Sequence, residues 1–319
     1  MRFNKPSPFT IGTVIVLVIC GFLLASDFTT IGNSVKEISG RTSVNATQKQ
    51  PKVIDTAALY AQVVPPEGIA LSGTWQNIGP KLVASGAIDF EKLKDMYNRS
   101  GRPLTEKQIA FFTKGSNETI RMTSENAHFI LNTLWALGLV NKNNIFSEGL
   151  MGQYIENGQA GNFASTGGWS LGKKPGGELL NNAEIITLTS EQQAVVERVA
   201  KNSYRPCCGN PTAFPDCNHG IAALGLAELL ASQGASAEQV AAAVKAANGM
   251  WFSQQYFELA VYFEATEDKD WNDVDPWVVI SQEYSSSSGF ANTHKKLKEV
   301  GMLPQAQKSG GSCAVGVTR

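Results

Sequence analysis

Apolar residues recur at three- and four-residue spacing in block after block of this chain, and polar signals bound the blocks. The spacing predicts helices over 76–85, 89–97, 105–113, 124–138, 190–202, 218–233, 236–248, 250–264 and 293–300. Thr105 with Gln108, Ser190 with Gln193, and Ser236 with Gln239 each set a hydroxyl three residues ahead of a glutamine. In that arrangement the cap and the third helical residue satisfy each other's free amides, so a helix should start at each pair. Gly86, Gly138, Gly234 and Gly301 each follow an apolar run and precede another apolar residue, the pattern of a left-handed C-cap. Glu184–Leu188 is the one strand candidate, and no alternation of strands with helices appears. The expected class is mainly α: a compact multi-helix domain.

The helical rhythm breaks at Gly158–Asn182, where Gly, Ser and Asn predict a long Gly-rich loop. Phe163, Trp169 and Leu171 are too apolar for a free linker, which favours a structural loop over a lid on the cysteines. No strand leads into its glycines and no phosphate-loop Lys-Ser/Thr follows, so it is not a nucleotide site. The aromatics Trp251, Phe252, Tyr256, Phe257, Tyr262 and Phe263 fall on one apolar helix and read as core.

The amino-terminal pattern is different. Residues 1–8 carry Arg2 and Lys5 without an acid, and Phe9–Ala25 follows without a charge. At about 17 residues it is long for a signal-peptide core and just long enough to span a bilayer. Leu23 is too large for the −3 position of a cleavage site after Ala25, which favours an uncleaved transmembrane signal-anchor. The basic leader puts residues 1–8 in the cytoplasm and everything after Asp27 outside. Residues 26–54 then read as a flexible tether, 55–303 as the extracytoplasmic helical domain, and 304–319 as a flexible tail holding Cys313 behind Ser-Gly-Gly-Ser.

Among 319 residues, 43% are hydrophobic, ample for a large core, and the net charge of −1 offers no basic footprint for nucleic acid. Chemistry concentrates elsewhere. Arg205–Gly220, RPCCGNPTAFPDCNHG, holds three of the five cysteines and one of the three histidines. Three readings fit these residues. Cys207, Cys208, Cys217 and His219 can ligate a soft or borderline metal, zinc or copper, through a Cys-Cys-x8-Cys-x-His loop. In an oxidising space Cys207 and Cys208 can instead pair with Cys217 and Cys313, giving a disulfide-stabilised module for a protein partner or a thiol-exchange centre. Neighbouring Cys207 and Cys208 are poorly placed to bond to each other. Finally, Asp216 or Asn218 can cap the following helix and leave Cys217 at its positive end as a nucleophile. PDCNHGIAAL resembles the Asp-Cys-Ser-Gly-Leu start of the nucleophile helix in NlpC-type cell-wall peptidases, with Asn218-His219 in place of Ser-Gly. That resemblance covers these residues alone and implies a thiol hydrolase with Cys217 as nucleophile. The metal reading is preferred, with capture, sensing or transfer of the ion as the expected role.

The remaining candidates have plainer readings. His128 shares a helix face with Leu131 and Trp135 and is expected in the core, while His294 sits beside Lys295 and Lys296 and is expected in solvent. The acids between Glu264 and Asp275 lack the residue order of a calcium loop and read as a solvated acidic loop.

Overall fold

The computed structural model describes residues 54–306, which belong to one compact unit. The predicted anchor, tether and Cys313 tail lie outside them, apart from Ile54 at the end of the tether and the tail's first residues, 304–306. Among the described residues no helix is long and apolar enough to cross a membrane. They form sixteen α-helices, six of them single turns, and one two-stranded sheet, so the protein is mainly helical. We number the longer elements in chain order: α1 (Thr56–Val63), β1 (Ile69–Gln76), α2 (Ile78–Ala84), α3 (Phe90–Arg99), α4 (Glu106–Lys114), β2 (Ser116–Met122), α5 (Ala127–Val140), α6 (Ser190–Asn202), α7 (Asn218–Ser232), α8 (Ala237–Trp251), α9 (Ser253–Glu267) and α10 (Ser287–Glu299).

The core is organised around α5 and α7, whose side chains are buried nearly all round. A helix without a polar face has to lie inside, and each fully enclosed Leu contributes about 1.5–3 kcal/mol. Gly138 and Gly225 let the two backbones meet. A Cβ on Gly138 would run into the carbonyl oxygen of Ile221, and one on Gly225 into that of Leu134. Gly138 is therefore a packing residue inside α5 and not the predicted C-cap, because the helix continues to Val140. Gly86, Gly234 and Gly301 do take positive φ, at 77°, 88° and 68°.

All nine predicted helices are present, and two of the three predicted capping boxes form as expected. In the third, Thr189 and Gln192 make the box in place of Ser190 and Gln193, since Thr-Ser-Glu-Gln-Gln offers both registers. Gln193 is thereby freed to donate to Asn143 Oδ1 at 3.0 Å. Glu184–Leu188 is not a strand: Ala183 makes only an isolated bridge to Asn141, and the Asn141 side chain takes the Ile185 and Ile186 amides at 3.0 and 2.8 Å. The actual sheet pairs β1 with β2 antiparallel, with Ile69 opposite Met122 and Thr74 opposite Thr119. At Thr74, β1 is also bracketed by the Gln233 amide, which accepts from its N–H at 2.9 Å and donates to its carbonyl at 2.8 Å.

The Gly158–Asn182 segment contains three single-turn helices and is pinned from within. Trp135 Nε1 donates to the Ser165 carbonyl at 2.6 Å and Trp169 Nε1 to the Ala87 carbonyl at 2.8 Å. The acidic loop is not simply solvated either. It wraps the buried Lys245 ammonium, which donates to the Trp271 and Val274 carbonyls at 2.8 and 2.9 Å and sits 4.3 Å from the Trp271 ring centroid. Burial lowers the Lys245 pKa to about 8, against the pull of Asp275, Asp270 and Asp273.

One buried group makes a testable demand on the fold. Glu228, on α7, is fully enclosed; Asn143 Nδ2 donates to its Oε1 at 2.7 Å, and Asn141 and Asn143 together only partly offset its burial. Burial raises its pKa to about 8, so at neutral pH the folded protein keeps it protonated. Between the ordinary carboxylate range and about 8 the native state holds a proton that the unfolded chain releases, so stability should fall as pH rises through that window and level off above it. The limiting slope is about 1.4 kcal/mol per pH unit. Denaturant unfolding of Glu228→Gln from pH 5 to 9 should remove this component of the slope; an unchanged slope would mean that Glu228 is ionised in the native state.

Candidate metal centre

The cysteine loop joins α6 to α7 and is held at several points. Thr212 N–H donates to the Ser203 carbonyl and Ala213 N–H to that of Ala200, both at 2.8 Å, while Ser203 Oγ donates to Thr212 Oγ1 at 2.9 Å. A tight turn, closed by Cys208 N–H on the Arg205 carbonyl at 3.2 Å, sets Cys207 and Cys208 at its tip. Ser287 N–H, at the start of α10, donates to the Cys208 carbonyl at 2.9 Å and ties the tip to the rest of the domain.

Arg205 is the pin of the loop. It is 1% exposed, and its guanidinium serves four acceptors. Nε donates to Cys217 Sγ at 3.0 Å, Nη1 to the Asn210 carbonyl at 2.8 Å, and Nη2 to the Phe214 carbonyl at 3.5 Å and to Asp216 Oδ1. Asn210 Nδ2 donates to the other Asp216 oxygen at 2.8 Å. A planar fork with five donors is suited to this task and an ammonium is not. Gly220 is its counterpart: a Cβ there would lie 2.6 Å from the guanidinium carbon, so a side chain in the first turn of α7 would expel Arg205. Burial opposes the arginine's charge, but Cys217, Cys208 and Asp216 more than offset this and it stays protonated.

Cys217 is itself the N-cap of α7, in place of the predicted Asp216 or Asn218, and accepts the Gly220 N–H at 3.3 Å. The loop brings Cys207 Sγ to 3.1 Å from Cys208 Sγ and to 3.6 Å from Cys217 Sγ, and the three sulfurs all lie within 4.8 Å of one another. Cys207 is exposed and the other two are half-buried. Of the three thiols, Cys217 is the one whose surroundings favour the thiolate. Hydrogen bonds from Cys207 and Cys208 hold its pKa well below the usual thiol value, with Arg205 and a bond from His219 adding to the effect. Its neighbours move the other way. Hydrogen bonding within the cluster and burial push Cys207 up; Cys208, although its bond to Cys207 works in the opposite sense, is pushed up to about 12 by its bond to Cys217 and by burial.

A metal ion fits this arrangement. Sulfurs bound tetrahedrally at about 2.3 Å stand about 3.8 Å apart, so Cys207 and Cys217, at 3.6 Å, are nearly at that spacing, while Cys207 and Cys208, at 3.1 Å, must open by about 0.7 Å. A disulfide, at about 2.05 Å, needs a closer approach, and the three cysteines are free thiols. Cys207, Cys208 and Cys217 can therefore hold a metal ion. His219 lies in the first turn of α7, 3% exposed, with its ring centroid 4.4 Å from that of Phe252 and 5.7 Å from that of Trp251. Its Nδ1 is buried without a hydrogen-bond partner. The close sulfur group does not include it.

The other histidines are engaged elsewhere. His128 is half-buried, with Nδ1 3.2 Å from the Tyr97 hydroxyl. His294 is not simply solvated, because its Nδ1 lies 2.7 Å from Oε2 of the buried Glu258. A cleft of about 410 Å³ lined by Asn143, Thr189, Gln193 and Glu197 includes none of the loop cysteines. The sequence signals for Arg205 were an arginine before the cysteines, an acid just before Cys217 and a glycine in the first turn of the next helix. No family model, curated protein or solved structure matches the chain.

Proposed function

We propose that this protein captures a soft or borderline metal ion, zinc or copper, and passes it on at the outer face of a membrane. Cys207, Cys208 and Cys217 would supply three thiolates and His219 the fourth ligand. The convergence of the three sulfurs in a loop pinned from behind by Arg205 carries this reading. His219 lies beside Cys217, and its buried, unpartnered Nδ1 would complete the ligand set once the ring turned toward the sulfurs, whose close group does not include it. Exposure of Cys207 supports transfer over permanent storage, because a thiol on a partner could reach the ion from that side.

A hydrolytic role for Cys217 has one observation in its favour, the His219 bond that helps to stabilise its thiolate. Against it, the Cys207 sulfur lies 3.6 Å away, where a substrate carbonyl would have to approach.

The protonation pattern gives the test. Because the ligands bind as thiolates while Cys207 and Cys208 are held toward the protonated form, metal binding at neutral pH should release protons, and affinity should rise with pH. Competition titrations with a chromophoric chelator at several pH values measure this; a pH-independent affinity would rule out the thiol site. The proposed location rests on the charge-free Phe9–Ala25 behind a basic leader. The chain should stay with membranes through carbonate washing, and a soluble chain beginning at Ser26 would show a cleaved signal instead.

A further inference from the structure

We propose that the same loop has a second activity, thiol–disulfide exchange through a Cys207–Cys217 disulfide that oxidises dithiols. The inference starts from which sulfur is reachable and which is held. Cys207 is exposed at the tip of the turn, whereas Cys217 is half-buried and accepts hydrogen bonds from Arg205 Nε and the Gly220 N–H at 3.0 and 3.3 Å. Their sulfurs are 3.6 Å apart. The intervening loop is already closed by Arg205 on Asn210, Phe214 and Asp216, so forming the bond requires little further ordering. Cys207 and Cys208 are closer still, at 3.1 Å, but consecutive Cα atoms stand about 3.8 Å apart, below the usual disulfide minimum of about 4.4 Å. The favoured pair is therefore Cys207 with Cys217.

The two ends of that disulfide are not equivalent. A substrate thiolate meets Cys207 first and forms a new S–S bond to its sulfur. The Cys207–Cys217 bond breaks, and its electron pair goes to Cys217, where the two N–H donors receive a leaving thiolate. A second thiol of the substrate loses its proton to solvent and attacks the substrate sulfur of the mixed disulfide. The bond to Cys207 breaks, and Cys207 leaves with the pair and takes up a proton. Two substrate thiols have become one disulfide, and the protein disulfide has become a thiol and a thiolate. Exchange in the reverse direction with a low-molecular-weight disulfide restores the oxidised form. The two N–H donors at Cys217 favour opening of the protein disulfide, and the oxidised form cannot hold a metal through the same sulfurs.

The test uses the full chain after chelation, equilibrated with oxidised and reduced glutathione in a series of ratios, acid-quenched, alkylated and mapped by mass spectrometry. The expected product is an intramolecular Cys207–Cys217 link, formed equally well in Cys208→Ser. In Cys217→Ser, glutathione should accumulate on Cys207 at least tenfold more than it does on Cys217 in Cys207→Ser. The oxidised chain should convert a dithiol peptide to its disulfide, and Cys207→Ser should not. Linkage of Cys207 to Cys208 or to Cys313, or no intramolecular link at any ratio, would overturn the proposal. Metal uptake by the reduced chain is measured separately, so a chain that binds metal without forming the link fails this proposal alone, and one that forms the link without binding metal fails the metal reading alone.

Discussion

Arg205→Met should cost the fold about 3–5 kcal/mol and abolish high-affinity metal binding at the same time. The size of the effect follows from what the guanidinium holds. Arg205 is 1% exposed, and without it Asp216 keeps only the Asn210 amide, the Asn210 and Phe214 carbonyls each lose a donor, and the Cys217 sulfur loses its nearest cation. Removing one member of a buried pair is far more damaging than replacing the pair with apolar residues, because the remaining charge is left uncompensated. Arg205→Lys should restore only part of the loss, since an ammonium cannot serve acceptors in four directions from one plane. Denaturant unfolding of the three proteins measures the stability term. An Arg205→Met protein as stable as the parent would mean that the loop is held by its flanking helices alone.

Cys217→Ser should separate the site from the fold. The hydroxyl can take over the N-cap bond to Gly220 N–H, serine is a favoured cap, and Asp216 stays as the partner of Arg205, so the loss of stability should be well below that of Arg205→Met. Metal affinity should nevertheless fall at least a hundredfold, because one of the three converging sulfurs is gone and a hydroxyl is a poor ligand for a soft ion. Isothermal titration together with a melting curve on the same sample reads both terms. Cys217→Ser with full affinity would move the site away from the start of α7.

How much of this was legible in the sequence depends on which physical signal each element carries. The nine predicted helices are long enough for a repeating apolar face, and most have a polar cap or a glycine stop. The sheet carries a weaker signal. β1 does alternate, with Leu71, Gly73 and Trp75 buried between more exposed neighbours, but Gly73 and the positive φ at Ser72 blur it as a strand, and β2 buries only Ile120 and Met122. Glu184–Leu188 has the composition of a strand, but the Asn141 side chain takes its amides where a partner strand would. Gly138 resembled a stop because the sequence shows the glycine without showing Gly225 facing it across the helix pair.

At the site, clustering of Cys207, Cys208 and Cys217 was readable from spacing, whereas the residue that organises them was not. Arg205 looks like any arginine until its partners are seen to be the carbonyls and carboxylate of its own loop. Glu228 was the more readable omission, as the single charged residue in GIAALGLAELLA. In a helix buried all round, a lone carboxyl has to be neutral or paired.

The central claim is that Cys207, Cys208 and Cys217 bind one ion together. It is tested most directly by elemental analysis of the full chain purified without air, with site-resolved thiol alkylation before and after chelation. The account predicts about one zinc or copper per chain, with these three cysteines slow to alkylate until the chelator is added and rapid afterwards. Absence of metal, with all three cysteines alkylated at the same rate before and after chelation, would contradict it.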